Sequence, residues 1–443
     1  MEKIDRYFKI SARGGSLKTE ILAGFTTFVA MSYVLAVNPM ILSTTGMDKA
    51  ALLTVTALSA MAASLFMGFF ANMPVALAPA MGTNAYFAFI VCASMGLTWQ
   101  EALSATFYNG IFFLAISISG FREKIIKSVP LPLQVGLQCG IGLFIAFLGL
   151  RNAGIVVPSD ATIISMGNIA SHKPLLAILG FAATAFLMAR KVRGAIIYII
   201  ALLTVLGFFI CDDSGAALAS VPSKLIDFPA PISQTFFALD FGYPFRNISE
   251  SLPIIATLLV LDMFDTIGTI IALGRRAGFM DSKGNLRGFG RVLLVDSSAT
   301  IFGALLGTST VTCYAESAAG VEAGGKTGVT AIIVGILFGL ALFISPLITS
   351  VPDFATSPAL IMVGIMMMCG ISALDFGDIA DFVPALFCMI MILLSFSITT
   401  GFSFGVVMYI IMMVSTKRAR KIKVGTWLLF ALMLAFIVGT SLK

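Results

Sequence analysis

Three acidic residues lie inside strongly apolar stretches of the sequence, where a charge is costly. Asp262 and Asp265 are spaced i, i+3 on one helical face, and Thr269 follows Asp265 by about one more turn. Glu316 is the only carboxylate of a second, hydroxyl-rich stretch. A charged side chain at the centre of a spanning helix costs at least about 2.5–3.5 kcal/mol. Because no basic residue is expected at the same depth, these carboxyls are predicted to bind a ligand or a proton. The alternative is that each only hydrogen-bonds a neighbouring helix, and for Asp262 this alternative stays open.

The protonation chemistry of a carboxyl at membrane depth makes these acids candidates for ion coupling. Burial disfavours the charged form, so a carboxyl there can take up and release a proton reversibly. The ionised form can accept hydrogen bonds from the N–H groups of a flat heterocycle. Glu316 and Asp265 are the candidates for proton coupling, and Asp262 is an accessory candidate because it lies one turn earlier.

Two polar or helix-breaking stretches interrupt the apolar sequence at corresponding places of its two halves. Residues 72–86 contain two prolines, a glycine and Asn84, and residues 308–320 contain Glu316. Hydrocarbon offers no partner for bare backbone groups, so broken chain at membrane depth must line a protein cavity. Paired interruptions of this kind indicate the binding site of a transporter. Half-helix N–H groups and the Asn84 amide would then supply donors to a ligand.

One glycine-rich stretch, residues 320–327, satisfies the sequence pattern of a phosphate-binding P-loop. Such a loop requires a buried strand before it and a soluble helix after it. Here a polar, broken stretch precedes the pattern and an apolar run follows it. The stretch is therefore predicted to be a cytoplasmic turn and not a nucleotide site.

The composition indicates that residues 1–443 form a single integral membrane unit. Hydrophobic residues make up 58% of the chain and charged residues 11%, with a mean hydropathy of +1.01, whereas soluble domains carry about 25% charged residues. The net charge of +6 resides in short loops, so no nucleic-acid partner is predicted. The six cysteines have no metal-ligand spacing, and neither a metal nor another cofactor is predicted.

Fourteen apolar runs, called segments one to fourteen, follow one another along the chain. They lie at about 21–43, 49–71, 74–95, 101–120, 134–150, 174–189 and 194–211, then at about 250–274, 289–306, 309–322, 327–348, 358–372, 382–398 and 402–416. Basic residues concentrate in alternate loops, which predicts a cytoplasmic N-terminus. Seven segments per half is an odd number, so a duplicated half must be inverted in the membrane. The predicted repeats are residues 20–212 and 249–416, and the topology of a further apolar segment at 424–441 stays open.

Six short motifs, in order along nearly the entire chain, are similar to those of one transporter family. They are Ala23-Gly-Phe-Thr-Thr27-Phe, Val37-Asn-Pro39, Pro74-Val-Ala-Leu-Ala-Pro79-Ala-Met-Gly82-x-Asn84-Ala, Phe264-Asp265-x-x-Gly268-Thr269, Gly307-Thr-Ser-x-Val-Thr312-x-Tyr314-x-Glu316-Ser and Gly324-Gly-Lys-Thr-Gly328. Together they resemble the AzgA-like purine permeases, a branch of the nucleobase–cation symporter (nucleobase–ascorbate transporter, xanthine–uracil permease) group.

This resemblance implies a fold and an assembly. The fold is an all-α polytopic membrane protein of fourteen transmembrane segments in two inverted seven-segment repeats, with short strands opening segments three and ten. A core domain would comprise about 20–120 and 249–348, and a gate domain about 130–212 and 357–423. A homodimer would form through the gate, within the lipid bilayer of a plasma membrane, here a bacterial inner membrane.

The resemblance also implies an activity, which is proton-coupled import of purine bases by alternating access and not an enzymatic reaction. Related uracil and xanthine carriers have a Glu-His pair in segment eight, where this chain has Asp265-Thr266. Substrate-binding roles carry over to Asp265, Glu316 and Asn84. The motif positions around them are added as candidate substrate contacts, with two accessory threonines in segment one: Gly82, Thr83, Ala85, Thr269, Tyr314, Ala315 and Ser317, then Thr26 and Thr27.

Three alternatives stay open at this point. An anion exchanger or channel of the same architecture would require positive charge or helix dipoles at its site, and the intramembrane acids argue against it. A membrane enzyme would need a nucleophile, base or metal cluster at membrane depth. A nucleobase carrier could also be coupled to sodium, with Asp262 and nearby hydroxyls holding the ion. The sequence leaves open which purine is carried.

Overall fold

The structure is a computed structural model that describes residues 2–119, 130–159, 163–192, 194–211, 217–222, 224–277, 288–395 and 398–441. Among these residues, eight helical stretches are long and apolar enough to cross a membrane, judged by length and composition. Shorter apolar helices occupy segments three, seven, thirteen and fourteen. Segment eight is a helix of 30 residues, and segment ten is a strand followed by a short helix. The predicted boundaries at residues 120 and 212 lie outside the described residues.

The first seven segments follow the predicted order along the chain. Segment one is broken into two helices, and segment three consists of a strand followed by a helix whose second half is more widely wound. The bounds are Leu17–Met31 and Val34–Ser43, Lys49–Phe66 continued by Met67–Ala71, Leu77–Pro79 with Met81–Ala85 and Tyr86–Ser94, Trp99–Ser119, Leu131–Asn152, His172–Ala189 and Ala195–Phe209.

The second seven segments repeat this pattern, and segment ten again consists of a strand followed by a short helix. The bounds are Ile248–Ala277, Phe289–Leu306, Val311–Cys313 with Ser317–Glu322, Gly328–Ala341 continued to Thr349, Asp353–Met368 continued to Ala373, Ile379–Ser395 and Ile398–Ser415. A final helix, Val424–Ser441, packs against segments fourteen and eight.

Helix packing divides the described segments into two groups. Segments one to four pack mainly with segments eight to eleven, and this group is called the core. Segments five to seven pack mainly with segments twelve to fourteen, and this group is called the gate. In the gate, a Cβ on Gly142 would lie 2.5 Å from the carbonyl oxygen of Gly364, so segments five and twelve approach as closely as their backbones allow. The residue bounds of the two domains stay a prediction.

Two short antiparallel strands meet inside the core and position the start of segments three and ten. Leu77 pairs with Cys313 and Pro79 with Val311, and the ladder is extended by the Tyr314 N–H, which donates to the Ala76 carbonyl at 3.0 Å. β-branched residues favour an extended backbone in segment ten, and proline can lie in a strand only where its missing N–H is not needed. The two interrupted stretches are therefore joined to each other.

Several helices begin where the sequence supplies a capping side chain. Ser16 accepts a hydrogen bond from the Thr19 N–H, and Asp48 accepts one from the Ala51 N–H at 2.7 Å. Such caps satisfy N–H groups that would otherwise lack a partner at a helix start. A hairpin between segments five and six, Val156–Ser159 paired with Ile163–Met166, was not predicted from sequence.

Candidate functional site

A cavity lies between the core and the gate at the level of the two paired strands. Its volume is about 180 Å³, small compared with the ~300–1,000 Å³ of sites for drug-sized ligands, so it suits a compact ligand. The core contributes Tyr33, Ala80, Met81, Gly82, Asp265, Thr269, Cys313, Tyr314, Ala315 and Glu316, and the gate contributes Gln138, Val363, Met366 and Met367.

The two carboxylates that line the cavity approach it from different segments. Asp265 of segment eight has an exposed side chain, and Glu316, just before the short helix of segment ten, is half-buried. The Tyr33 hydroxyl, at the break of segment one, donates a hydrogen bond of 2.7 Å to Glu316 Oε1. None of the described residues that line the cavity is basic. The site is thus rich in hydrogen-bond acceptors and complementary to a neutral or cationic ligand with N–H groups.

The strand pairing fixes the cavity wall formed by segments three and ten. The buried side chain of Tyr314 donates from its hydroxyl to the Pro79 carbonyl at 2.5 Å. This contact holds Pro79, the last residue of the first strand, against Tyr314, which directly follows the second strand. As a result Gly82 and Ala315, both predicted substrate contacts, face the same cavity. Thr269, also predicted, lines it from segment eight.

Four predicted substrate contacts lie behind the cavity wall instead of in it. Asn84 donates to Asn38 Oδ1 and accepts a hydrogen bond from the Ser309 hydroxyl. The Thr83 hydroxyl bonds that of Thr310. The Ser317 hydroxyl accepts from the Ala76 N–H at 3.0 Å, and the small side chain of Ala85 is buried in the core. These residues link segments one, three and ten, which are the elements that carry the cavity wall.

The three accessory candidates are also buried and are not among the described residues that line the cavity. Thr26 donates to the Leu22 carbonyl of its own helix at 2.8 Å. Thr27 lies against the short helix of segment ten, where a Cβ on Gly320 would be only 2.0 Å from its hydroxyl oxygen. Asp262 faces segments four and nine, where Asn109 and Thr300 contact it.

A fourth intramembrane acid, Asp296 of segment nine, holds the second strand in place. Its Oδ1 accepts from the Cys313 N–H at 3.0 Å, and its Oδ2 accepts from the Thr266 hydroxyl at 2.6 Å. The hydroxyl of Thr266 is also 2.6 Å from that of Thr312 in the strand. Segments eight, nine and ten are thereby connected to one another.

Sequence reasoning missed the gate side of the cavity and the role of Tyr33. Gln138 is a polar residue in the first half of segment five, and Tyr33 follows a serine in the middle of segment one. Both are polar interruptions of an apolar run and could have been found by that signal. Val363, Met366 and Met367 carry no such signal, because apolar residues are expected throughout segment twelve.

The P-loop-like turn is occupied by a carboxylate of the same chain. Buried Glu20 accepts hydrogen bonds from the Lys326 N–H at 3.0 Å, the Thr327 N–H at 3.3 Å and the Thr330 hydroxyl at 2.5 Å. Arg13 donates to the Lys326 carbonyl at 2.8 Å and to the Asn72 carbonyl at 2.9 Å. Backbone N–H groups that would bind a phosphate in a P-loop are therefore used to hold the N-terminal residues and segment eleven together.

A family model described as "Permease family", for xanthine and uracil permeases, matches residues 18–404. The chain belongs to this family, the nucleobase–ascorbate transporter family, and is an integral membrane permease and not an enzyme. Adenine permease AdeP of Escherichia coli (strain K12) is 40% identical over 437 residues, covering 98% of this chain and 96% of that protein. Guanine/hypoxanthine permease PbuG of Bacillus subtilis (strain 168) is 38% identical over 441 residues, covering 98% and 99%.

Solved structures share the fold at low sequence identity. The transmembrane domain of the cyanobacterial bicarbonate transporter BicA matches with a TM-score of 0.65 and 14% identity, covering 88% of this chain and 97% of that one. SLC26A9 matches with a TM-score of 0.60 and 12% identity, covering 90% and 65%. These transmembrane domains consist of two inverted repeats of seven segments with a core and a gate, so the predicted fold class is confirmed.

Proposed function

We propose that the protein imports purine nucleobases by proton symport. The observation that carries the proposal is the compact cavity that Asp265 and Glu316 enter from two sides, with no basic residue among its described lining. Purine bases are flat and carry N–H groups that can donate hydrogen bonds to a carboxylate. Relatives that match nearly the full chain are an adenine permease and guanine/hypoxanthine permeases, which supports this substrate class.

The cavity residues have distinct tasks in this proposal. Asp265 and Glu316 accept hydrogen bonds from the base, and the Tyr33 hydroxyl fixes the orientation of the Glu316 carboxylate. Met366 and Met367 supply adaptable apolar surface for the ring from the gate. A proton that neutralises one of the buried carboxyls of the core supplies the coupling, since it reduces the charge that must cross the membrane.

Alternating access follows from the position of the cavity between two packed groups. The wall made by segments three and ten is tied together by the strand ladder, so it moves as one body with the core. A shift of the core past Gln138 and the methionines of the gate exposes the base to either side in turn. We further propose a homodimer through the gate, in a bacterial inner membrane with a cytoplasmic N-terminus, as the basic loop residues suggest.

The test is uptake of radiolabelled adenine, hypoxanthine, guanine and uracil by cells that lack their own carriers. Saturable uptake of at least one purine, lost on addition of a protonophore, is the expected result. Uptake that follows an imposed sodium gradient instead would replace the proton by sodium. If protein present in the membrane transports none of these bases, the purine assignment is wrong.

A variant pair connects the activity to the cavity. Glu316→Ala removes a carboxylate from the cavity and should abolish uptake, because the base loses its acceptor and Tyr33 loses its partner. Glu322→Ala, at the end of the same short helix and outside the cavity lining, should transport like the unchanged protein. Normal uptake by Glu316→Ala, with both variants equally abundant in the membrane, would remove Glu316 from the site.

A further inference from the structure

A buried carboxyl outside the cavity has one oxygen without a hydrogen-bond partner among the described residues. Asp262 is fully buried on segment eight, on the side that faces segments four and nine. Its Oδ2 accepts hydrogen bonds from the Asn109 amide at 3.2 Å and from the Thr300 hydroxyl at 2.9 Å. Its Oδ1 has no hydrogen-bond partner among the described residues.

Asn109, one of the two residues that contact Asp262, has an oxygen without a partner as well. The side-chain oxygen Oδ1 of Asn109 is buried and has no partner in the part of the chain that the structure describes. Two neighbouring side chains thus each present a buried acceptor without a donor among the described residues. Buried polar atoms are nearly always paired, so this arrangement indicates a missing donor or cation.

Other acidic groups lie close to Asp262. The titratable groups that face it are Asp265 on its own helix, Asp296 on segment nine and Cys313 on the strand of segment ten. Segment four contributes the neutral Asn109, and no basic residue among the described ones contacts the Asp262 carboxyl. A second and third negative charge at this depth, without a cation, would be costly.

Asp296 provides a contrast within the same layer. Each of its oxygens has a donor, because Oδ1 accepts from the Cys313 N–H and Oδ2 from the Thr266 hydroxyl. Both oxygens of Asp296 therefore have a hydrogen-bond partner. At Asp262 both donors bond to Oδ2, and Oδ1 has no hydrogen-bond partner in the described part of the chain.

We infer that Asp262 binds the coupling proton on Oδ1, at a site separate from the substrate cavity. The inference rests on the proposed function and places the proton behind the cavity instead of on either carboxyl that lines it. On binding, a solvent proton forms an O–H bond with Oδ1, and the carboxylate becomes a neutral acid. That O–H is a donor beside Asn109, whose Oδ1 needs one. The site consists of residues from segments four, eight and nine, so the proton moves with the core.

The spacing of the two aspartates explains how proton and base are coupled. Residues three apart on a helix are neighbours, so an ionised Asp262 disfavours charge on Asp265. Protonation of Asp262 removes that repulsion and lets Asp265 stay ionised as an acceptor for the base. The affinity for base therefore rises with proton binding, and by reciprocity base binding promotes proton uptake.

The experiment is calorimetric titration of the purified full-length protein with adenine, hypoxanthine and guanine over a range of mildly acidic to mildly alkaline pH. The protein should bind at least one purine more weakly as pH rises, by up to about tenfold per pH unit for a single linked proton. Asp262→Asn keeps a neutral donor at this position and should bind the same purine with an affinity independent of pH. In liposomes it should exchange purine but not accumulate it against a proton gradient.

Two further variants keep the test decisive. Asp296→Asn changes the other buried carboxyl and should retain the pH dependence. Thr300→Val removes a donor to the ionised form of Asp262, so it should shift the pH dependence to higher pH, and it serves if Asp262→Asn does not fold. A pH dependence that persists in Asp262→Asn, or is unmoved in Thr300→Val, overturns the inference. Purine binding that depends on sodium, and loses this dependence in Asp262→Asn, would also overturn the inference, because it would assign the site to sodium. Failure of the unchanged protein to bind any purine would instead refute the proposed function.

Discussion

The Tyr33 hydroxyl and the Glu316 carboxylate, 283 residues apart in sequence, form a hydrogen bond of 2.7 Å at the edge of the cavity. Segment one is broken at Tyr33, and Glu316 directly precedes the short helix of segment ten. A phenolic donor at this place fixes one oxygen of the carboxylate and leaves the other to meet a ligand. The break in segment one therefore contributes to the site as much as the breaks in segments three and ten.

Replacing Tyr33 by phenylalanine should weaken base binding without unfolding the protein. A hydrogen bond to a charged group contributes about 1.5–3 kcal/mol, so the KM for purine uptake should rise about tenfold or more. Tyr198→Phe is the matched control, because Tyr198 is exposed on segment seven and should be neutral. Equal KM values for Tyr33→Phe and the unchanged protein would show that the Tyr33 hydroxyl does not orient Glu316 for binding.

Gly82→Val should slow transport because Gly82 lies where the core faces the gate. A Cβ at this position would be 3.3 Å from Ile141 and 3.5 Å from Met367, both of the gate, and valine adds two methyl groups beyond it. Overpacking of this kind costs about 1–3 kcal/mol, which corresponds to a loss of turnover of up to about a hundredfold. The control is Ala115→Val on the exposed face of segment four. Unaltered uptake by Gly82→Val would argue against movement at this contact.

Glu20→Ala should destabilise the protein through the turn at residues 326–327. The substitution leaves two backbone N–H groups and the Thr330 hydroxyl without their acceptor. Each unsatisfied buried group costs about 1–3 kcal/mol, so the melting temperature in detergent should fall by several degrees. Millimolar ATP should not restore it, because an apolar spanning helix follows the turn, where a P-loop requires a soluble helix. Protection by ATP would instead support a phosphate site.

The pair of Asp378 and Arg418, outside the membrane-spanning segments, predicts a pH-dependent contribution to stability. The hydrogen bond from Arg418 lowers the pKa of Asp378 below its ordinary value. A carboxyl whose pKa is lower in the folded state stabilises the fold above the unfolded-state pKa of about 3.9 and loses this contribution as pH falls. Asp378→Asn should therefore lower the melting temperature slightly at neutral pH and not under strongly acidic conditions. Asp353→Asn, whose contact with Lys49 is 3.8 Å long, should change it less.

The order of the segments and the location of the candidate cavity could be predicted from sequence, because both depend on local patterns. Apolar runs separated by basic loops define the segments, and the interrupted stretches around Asn84 and Glu316 define where the cavity wall must lie. The pairing of Leu77–Pro79 with Val311–Cys313 agrees with the strands that the resemblance implied.

Which polar residues line the cavity and which lie behind its wall could not be predicted, because this depends on the direction of each side chain. Asn84 and Glu316 both interrupt apolar runs, yet one lies behind the cavity wall and the other lines the cavity. Periodicity does not distinguish these directions where a strand turns into a helix. The apolar cavity lining from segment twelve could not be predicted for a different reason. Met366 and Met367 have no sequence feature that distinguishes them from other apolar residues.

Asn84→Ala tests whether this residue positions the wall or contacts the base. Asn84 bonds Asn38 of segment one and Ser309 at the start of segment ten. Asn38 in turn donates to the Thr56 hydroxyl of segment two at 2.6 Å, so the two amides connect segments one, two, three and ten. Its loss should lower stability by about 1–3 kcal/mol, measured as a lower melting temperature without ligand. Asn152→Ala, at the exposed end of segment five, is the matched control. If Asn84→Ala keeps the melting temperature and changes only the KM for purine, then Asn84 contacts the base directly, as the sequence predicted, in a conformation in which the wall has opened.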